Sequence, residues 1–338
     1  MVKKIVKFSK SYDSALLSIK KSFVKENKKN LSHTIKFNKL YKKNPKRIIC
    51  KNCEKRLLKK FIQNFGVNYH ICSYCKHLNG IYQDTDKFNS NLYASESGGN
   101  YSHIYEKDFD QRVKSIYLPK VNFLKKVIKE KIKLIDLGSG AGHFLKALED
   151  KKVEAIGYEP NEILKNIGSK KLKKNKIFLS NLNDVYNITK KNLDFNTVSL
   201  IGTLEHLQKP NLFLKNFNKS SAKYLYISVP LFSLSVFLEN TFTNVFPRQL
   251  GYGHTHLYTK ESLEFMAKKN KLEIIGEWWF GTDFPDLHRS LINSANCLDK
   301  SLYLKELNKK LFSVINKLQN VLDKNKICSE VHMILKKK

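Results

Sequence analysis

Residues 134–144 read Leu-Ile-Asp-Leu-Gly-Ser-Gly-Ala-Gly-His-Phe. Three glycines alternate with small residues, directly after an apolar run and directly before a helical pattern. Glycine admits positive φ and lets a ligand approach the backbone, and the first turn of a helix offers free N–H groups. The segment therefore predicts a strand, a ligand-binding turn and a helix.

The spacing of these glycines differs from that of a dinucleotide-binding turn, which places its third glycine one position later, where this chain has His143. Asp136 stands two residues before the first glycine. The next apolar run ends in Glu159 and Pro160, and Glu159 follows Gly142 by 17 residues. A carboxylate at that strand tip accepts hydrogen bonds from both hydroxyls of a ribose, so the pattern predicts a nucleoside-containing ligand.

The chain on both sides of this turn alternates apolar runs with helical stretches such as residues 144–148 and 212–217. Such alternation is typical of an α/β fold with a parallel sheet and helices on both faces. The runs that predict strands are residues 134–137, 155–158, 177–179, 198–201, 224–229, 272–276 and 331–335.

Residues 133–282 resemble the class I S-adenosylmethionine-dependent methyltransferases, in particular their broad small-molecule subgroup. Besides the glycine turn, the resemblance is carried by Ile201-Gly-Thr-Leu-Glu-His-Leu-Gln-Lys-Pro210, by Ser228-Val-Pro230 and by Gly253-His-Thr-His-Leu-Tyr-Thr-Lys-Glu-Ser-Leu263. It implies a Rossmann-like sheet of seven strands with helices on both faces. The last strand, near residues 331–335, would be antiparallel, after a helical insertion at about residues 285–325.

The same resemblance implies which residues bind S-adenosylmethionine. Asp136 and the glycine turn would hold its methionine part, Glu159 its ribose, and Asn181 and Leu182 its adenine. Thr203 stands where many relatives have an acid. The implied cofactor-binding residues are Asp136, Gly138, Ser139, Gly140, Gly142, Glu159, Pro160, Asn181, Leu182 and Thr203.

Three histidines are candidates for the catalytic base. Methyl transfer from a sulfonium is an in-line displacement, so the protein chiefly orients the acceptor and removes its proton. His206 follows the fourth strand of the predicted domain, where ligands bind in such sheets, and its pKa suits proton transfer near neutrality. His254 and His256 lie in a loop expected to border the acceptor. Each also has a structural interpretation, as a histidine that packs or caps a turn.

Four cysteines have the spacing of a structural zinc site. Cys50, Cys53, Cys72 and Cys75 form two Cys-x-x-Cys units, each able to make a tight turn around one tetrahedral Zn²⁺. A hairpin of residues 61–67 and 69–71 is expected between them. Four thiolates leave no open coordination position, which indicates a structural ion, although His70 and His77 are nearby as substitutes. The unit resembles the zinc ribbons that precede some bacterial sugar-modifying methyltransferases.

The composition bounds the remaining possibilities. Of 338 residues, 41% are hydrophobic and 12% aromatic, enough for a sizeable core. The net charge of +32 comes from 62 basic residues, of which only five are Arg. Because specific phosphate and base recognition favours Arg, composition bias explains this charge better than a nucleic-acid partner does. No apolar stretch reaches about 18 residues and no signal core is present, so we expect a cytoplasmic protein without a membrane span.

These patterns predict four regions: a basic arm over residues 1–45, a zinc ribbon over 46–80, a linker with lid helices over 81–130, and the methyltransferase domain over 131–338. Shorter expectations are an amphipathic helix at 12–24, a helix from about 109 to 128 that Pro119 interrupts, and a segment at 93–101 that closes over the cofactor. Another helix carries one apolar face, which would cover the core or form a homodimer interface: Leu304, Leu307, Leu311, Ile315, Leu318 and Leu322.

The favoured function is methyl transfer to a small-molecule acceptor, a sugar nucleotide or a glycan precursor. An RNA methyltransferase is the alternative, since a zinc module and positive charge suit it, but the segment after residue 201 lacks the Asn-Pro-Pro-Tyr-like motif of many base methylases. A third hypothesis is a non-catalytic binding module with a degenerate core. The intact glycine turn and Glu159 argue against it.

Overall fold

A computed structural model of the chain describes residues 3–10, 26–58, 62–94, 106–188, 194–251, 253–296 and 301–338. The expected helix at 12–24, and residues 95–101 of the expected cofactor-covering segment, lie outside the described residues. The strands are β1 (Ile5–Phe8), β2 (Ile62–Asn64), β3 (Val67–Ile71), β4 (Leu78–Gly80), β5 (Lys133–Leu137), β6 (Glu154–Glu159), β7 (Lys176–Leu179), β8 (Thr197–Ile201), β9 (Tyr224–Pro230), β10 (His256–Leu257), β11 (Leu272–Phe280) and β12 (Glu330–Lys337).

Helices lie between these strands. They are α1 (Asn27–Tyr41), α2 (Asp86–Asn89), α3 (Phe109–Arg112), α4 (Leu118–Val127), α5 (His143–Asp150), α6 (Glu162–Lys171), α7 (Val185–Ile188), α8 (Pro210–Lys219), α9 (Leu234–Thr241), α10 (Lys260–Lys269), α11 (Asp283–Asn296) and α12 (Ser301–Lys324). Wider π-helical turns cover Ser90–Ala94 and Val113–Tyr117, and a 3₁₀ turn covers Leu204–His206. None of the helices in the described ranges is long and apolar enough to cross a membrane.

The main sheet confirms the predicted α/β architecture. Its order is β1-β11-β12-β9-β8-β5-β6-β7, with β12 antiparallel to both of its neighbours. The parallel strands β5 to β9 are the apolar runs of the sequence, and Leu134, Val198 and Leu225 at its centre are fully buried. Because parallel strands all end at the same edge, the residues that follow β5, β6 and β8 come together there.

An eighth strand extends the seven-stranded sheet that the resemblance implied. β1, from the N-terminal region that the sequence indicated only as a basic arm, pairs in parallel with β11. The indole N–H of Trp278 donates to the carbonyl oxygen of Ser9 at 2.9 Å, and Lys4 pairs with the buried carboxylate of Glu277. The Ser9 hydroxyl also donates to the side-chain oxygen of Asn320 on α12 at 2.9 Å, so the lysine-rich segment is held at the sheet edge by contacts to β11 and to α12.

Two hydrophobic cores cover the two faces of the sheet. Trp278 and Trp279, consecutive on β11, point to opposite faces. One core joins Trp279 to Phe213 and to other side chains of α8 and α10, and the second joins Trp278 to Phe144 and to side chains of α4 and α5. The predicted helix near 109–128 is present as α3, a π turn and α4, with Pro119 in the first turn of α4.

The helical insertion before the last strand is confirmed as α11 and α12. Ile315 on α12 is buried, whereas the other described members of the predicted apolar face are half-buried and the side chain of Leu304 lies outside the description. Asp283 at the start of α11 is fully buried and accepts hydrogen bonds from the hydroxyls of Ser233 and Ser235 at 2.6 and 2.9 Å. The insertion is therefore anchored to the α9 region by a polar contact.

The cysteine-bearing region forms a second, four-stranded sheet in the order β10-β4-β3-β2. The expected hairpin is present as β2 and β3, with its turn at Phe65 and Gly66, which both have positive φ. β10 comes from the segment before the last αβ unit of the main domain and pairs antiparallel with β4. Helix α1 packs here as well, where the Phe37 and Phe88 rings lie 5.5 Å apart. The small sheet is thus joined to the main domain by backbone hydrogen bonds.

Close packing of α6 on the glycine turn gives a test of the fold. A Cβ at Gly168 would lie 2.4 Å from Cδ1 of Ile177 and 2.9 Å from the carbonyl oxygen of Ala141. Alanine normally stabilises a helix by about 1 kcal/mol relative to glycine. Overpacking typically costs about 1–3 kcal/mol, so we expect Gly168→Ala to lower the free energy of unfolding in urea.

Ser169→Ala, at the exposed neighbouring position, is the matched control, and we expect it to leave the unfolding midpoint unchanged or slightly higher. A Gly168→Ala chain as stable as this control would contradict the packing of α6 against Ala141.

Candidate active site

The glycine turn connects β5 to α5 at the carboxyl edge of the main sheet. Gly138, Gly140 and Gly142 have φ of +76°, +54° and +77°. The amides of Gly138 and Ser139 donate to the carbonyl oxygen of Tyr158 at 2.9 and 3.1 Å, which joins the turn to the end of β6. The residue pattern of the turn therefore follows from a backbone path that only glycine adopts readily.

Two of the three glycines are also required by close packing. A Cβ at Gly138 would lie 2.6 Å from Oγ1 of Thr203, and one at Gly142 would lie 2.8 Å from Cδ1 of Ile177. Gly140 differs, because a Cβ there would meet nothing within 4 Å. Gly140 thus faces open space, whereas Gly138 packs against the side chain of Thr203 and Gly142 against that of Ile177.

Two buried carboxyl groups flank the turn. Glu159, 6% exposed, accepts hydrogen bonds from the amides of Gly140 at 2.7 Å and Asn161 at 2.9 Å. Asp136, 2% exposed, accepts one from the hydroxyl of Ser199 at 2.6 Å. Burial raises the pKa of each group to about 7, against the opposing effect of these hydrogen bonds. A ligand that brings hydroxyl or ammonium donors would stabilise both ionised carboxylates.

A cavity of about 170 Å³ opens beside the turn. Its lining residues are Tyr117, Asp136, Gly138, Ser139, Gly140, Ala141, His143, Phe144, Leu164, Ile201 and Gly202. The ring of His143, at the position that excluded the dinucleotide pattern, stacks on Phe109 at 4.3 Å and on Tyr117 at 5.3 Å between ring centroids. By stacking on Phe109 and Tyr117, His143 packs the helical segment that precedes β5 against the cavity.

A second cavity of about 50 Å³ is lined by Tyr93, Leu182 and His206, among other residues. The Tyr93 hydroxyl and Nδ1 of His206 are 2.5 Å apart, and the Tyr93 carbonyl accepts a hydrogen bond from the Asn161 side chain at 3.1 Å. Tyr93 thus bridges the tips of β6 and β8. It is the one described aromatic residue of the segment predicted to close over the cofactor.

The remaining predicted cofactor residues differ in their relation to these two cavities. Leu182 lines the second cavity, while Asn181 is exposed and its amide donates to the carboxylate of Asp184 at 2.8 Å. Thr203 packs its side chain against Gly138, and Pro160 is half-buried after Glu159. Of the predicted set, four residues line the first cavity and Leu182 lines the second. The four are Asp136, Gly138, Ser139 and Gly140.

Two of the three candidate base histidines come together. His206 ends the 3₁₀ turn after β8, and its ring stacks on that of His254 with centroids 4.9 Å apart. Burial lowers the pKa of both rings, that of His254 to about 4, so both are neutral at pH 7. The carboxyl of Glu205 lies 3.9 Å from Nε2 of His206, and burial raises its pKa to about 8.

His256 lies elsewhere, in β10, between the small sheet and the main domain. It is fully buried, with Nδ1 2.8 Å from Nε2 of His77 and its ring against Tyr258. His77, named as a substitute zinc ligand, is therefore occupied by this histidine pair. The structure brings His206 and His254 together beyond the end of β8 and places His256 in the contact with the cysteine-bearing sheet.

The four cysteines form one buried cluster that could hold a metal ion. Their sulfurs pair at 3.6 Å (Cys50 and Cys75) and 3.4 Å (Cys53 and Cys72). The Asn79 amide donates to Cys50 at 3.5 Å, and the proton shared between Cys50 and Cys75 lowers the pKa of Cys50 to about 5 while raising that of Cys75. Four converging sulfurs with amide donors fit a tetrahedral thiolate site.

The sequence did not single out Glu205 and Tyr117 as site residues. Glu205 was part of the Leu-Glu-His segment, and its place directly before His206 at the end of a strand was the available signal. Tyr117 reaches the cavity only because α3, the π turn and α4 fold over the glycine turn. No local sequence pattern carries that information.

Comparison with known proteins identifies a domain in this chain. A family model described as "Methyltransferase domain" matches residues 109–277, which is half of the chain. The match begins with α3 and ends within β11, so it includes the glycine turn, Glu159 and the Glu205–His206 segment. No curated protein is similar enough in sequence to count as a relative.

Solved structures of similar fold include methyltransferases. Magnesium protoporphyrin IX methyltransferase from Synechocystis PCC 6803, with bound SAH, is 10% identical and covers 75% of this chain and 100% of its own, with a TM-score of 0.48. A SAM-dependent methyltransferase from Archaeoglobus fulgidus is 16% identical; the match covers 70% of this chain and 100% of that protein, with a TM-score of 0.44. A SAM-dependent methyltransferase from Thermotoga maritima, a possible histamine N-methyltransferase, is 20% identical. The match covers 51% of this chain and 80% of that protein, with a TM-score of 0.36.

The open space at Gly140 gives a test of the donor site. A valine there would project into the cavity and would be strained at φ +54°. We expect Gly140→Val to weaken binding of S-adenosylmethionine at least about 100-fold, or about 2.8 kcal/mol, by calorimetry.

Gly66→Val is the matched control, because Gly66 also has positive φ but lies in the β2–β3 turn. It should suffer comparable backbone strain and keep wild-type affinity. Wild-type affinity in Gly140→Val would show that the ligand does not approach this turn.

Proposed function

We propose that this chain, which belongs to the methyltransferase-domain family and is a class I S-adenosylmethionine-dependent methyltransferase, methylates a small-molecule acceptor, a sugar or a glycan precursor. One observation carries the proposal. The donor cavity, which Gly202 lines, and the Glu205–His206 turn follow each other within four residues at the end of β8. A polar cluster therefore stands directly beside the donor site.

The residues of the glycine turn fit the donor. Gly140 leaves space for it, Asp136 would hold its amino group, and Glu159 would accept hydrogen bonds from its ribose hydroxyls. Both carboxyl groups are buried, so hydrogen bonds to them are strong. When bound, the cofactor supplies a methyl group activated by the positive charge on sulfur. The chain itself binds, orients and shields the reacting groups.

The acceptor side favours a hydroxyl-bearing molecule. The neutral rings of His206 and His254 present nitrogen lone pairs, and Glu205 presents a carboxyl group. These groups accept or exchange the proton of a hydroxyl, which must leave when oxygen takes up the methyl group. An apolar acceptor would leave the buried Oε2 of Glu205 without a partner, at a cost of about 1–3 kcal/mol.

The contacts of Tyr93 over the site favour a small acceptor over a large one. Tyr93 spans from Asn161 to His206 and leaves a second cavity of about 50 Å³. A nucleotide within folded RNA would require this bridge to open. The scarcity of Arg in a chain with a charge of +32 argues in the same direction.

Product analysis tests the acceptor. The full-length chain is incubated with S-adenosylmethionine that carries a deuterated methyl group, in parallel with nucleotide sugars, glycan precursors and total RNA, and labelled products are identified by mass spectrometry. We expect label in the sugar fraction, and Gly140→Val should transfer almost none. Label found only in nucleosides from the RNA digest would overturn the sugar proposal in favour of the RNA alternative.

The cysteine cluster has a separate role in this proposal. We propose that it binds one structural Zn²⁺, because four sulfurs satisfy a tetrahedral ion and leave no position for a substrate. The ion would hold the turn of Cys50 and Cys53, which precedes β2, against the turn of Cys72 and Cys75, which connects β3 to β4. That sheet in turn carries β4, the strand paired with β10.

Metal analysis checks the zinc proposal. We expect one Zn²⁺ per chain, and we expect Cys50→Ser to lose it and to unfold at lower temperature, since removal of a ligand weakens a site whose binding energy supports the fold. Cys328→Ser is the control, because Cys328 is buried but outside the cluster and should leave the zinc content unchanged. A folded wild-type preparation without zinc would contradict the assignment.

A further inference from the structure

Beside the donor cavity lies a second cluster of metal-binding side chains, formed by Glu205, His206 and His254. One ligand atom of each lies within 4.8 Å of the others. We propose that these three residues bind a divalent cation distinct from that of the cysteine cluster, and that the cation holds an oxygen of the methyl acceptor. Binding of the cation stands independently of the proposed function. Only the use of its open positions for an acceptor rests on that function.

Glu205 supplies the first argument. Its side chain is 3% exposed, and its Oε2 has no hydrogen-bond partner. An unpaired polar atom at such burial costs about 1–3 kcal/mol and more when it is charged. A cation bound to Glu205 would remove that cost and would favour the ionised carboxylate.

One of the two histidines, His254, is already oriented as a ligand. Nδ1 of His254 lies 2.9 Å from the carbonyl oxygen of Gln249, which can only accept, so Nδ1 carries the proton and Nε2 the lone pair. Nδ1 of His206 lies against the hydroxyl of Tyr93. When Nδ1 carries the ring proton and donates it to the Tyr93 oxygen, the lone pair of Nε2 is available for an ion. Metal-binding histidines typically hydrogen-bond through their other nitrogen in this manner.

The kind of ion follows from the ligands. Two imidazoles and one carboxylate, without a thiolate, suit Mn²⁺, Fe²⁺, Co²⁺ or Zn²⁺ better than Mg²⁺ or Ca²⁺. Three protein ligands leave coordination positions open, in contrast to the four sulfurs of the cysteine cluster. A hydroxyl bound at an open position has a lowered pKa, which makes its oxygen a better nucleophile.

The position of the cluster agrees with this use. Glu205 is only three residues after Gly202, which lines the donor cavity. His206 lines the second cavity together with Tyr93. The backbone of Gly253 makes a hydrogen bond to the His206 ring, and an ion bound to the same nitrogen would replace that contact. Tyr93 joins the cluster to the segment that covers the site.

Titration with Mn²⁺ tests the proposal. Mn²⁺ prefers oxygen and nitrogen ligands and competes weakly with thiolate-bound zinc. Full-length protein with its cysteine cluster filled by one equivalent of Zn²⁺ is titrated, and free Mn²⁺ is followed by electron paramagnetic resonance. We expect one Mn²⁺ per chain. Loss of a residue that only hydrogen-bonds to a metal ligand typically lowers metal affinity about 10–100-fold. Loss of a ligand itself, in Glu205→Gln or His254→Gln, should therefore weaken Mn²⁺ binding at least about 100-fold.

Glu261→Gln, at an exposed position on α10, is the matched control and should bind Mn²⁺ as the wild type does. Each variant is also titrated with S-adenosylmethionine, and retained affinity shows that the donor site is folded. Wild-type protein that takes up no Mn²⁺, or Glu205→Gln and His254→Gln variants that bind it as tightly as the control, would overturn the metal site.

Failure of the proposed function gives a different result. Mn²⁺ bound at Glu205 and His254 with no labelled sugar product would retain the metal site and refute only the acceptor. Labelled sugar formed equally well without any Mn²⁺ uptake would refute the metal site and leave His206 as the base.

Discussion

The hydrogen bond from the amide of Gly140 to the carboxylate of Glu159 joins the two strand tips on which the site depends. It forms because three alternate glycines turn the chain through positive φ, so that the amide points across to the end of β6 rather than into α5. Asp136 and Glu159 are thereby held on the two sides of one turn. The proposed donor site follows from this backbone path more than from any single side chain.

Buried carboxyl groups are the second common feature of the site. Asp136 lies near the end of β5, Glu159 ends β6 and Glu205 follows β8, and burial raises the pKa of all three to between about 7 and 8. Such groups lower the stability of the free protein, and the large cores on both faces of the sheet offset that cost. Clustered groups of this kind typically mark the place where ligands with complementary charge and donors bind.

The cysteine-bearing sheet is joined to this site rather than appended to the domain. β10 pairs with β4 and lies two residues after His254, and His256 contacts His77 across the same junction. Tyr93, further along the chain from this sheet, reaches His206. A metal ion at the four cysteines would therefore stabilise the frame that carries Tyr93 and His254.

The sequence by itself determined the sheet, the glycine turn, Glu159 and the cysteine cluster, because alternation of apolar runs, glycine spacing and paired cysteines each reflect a local backbone requirement. Tertiary structure decided which histidines meet: His206 and His254 stack although 48 residues separate them, while His256, two residues further, faces His77. It also decided that β1 joins the sheet, since the partners of this segment, on β11 and α12, are more than 260 residues away in the sequence. Contacts between distant segments depend on how helices and loops pack over the sheet edge, and a local pattern does not encode that packing.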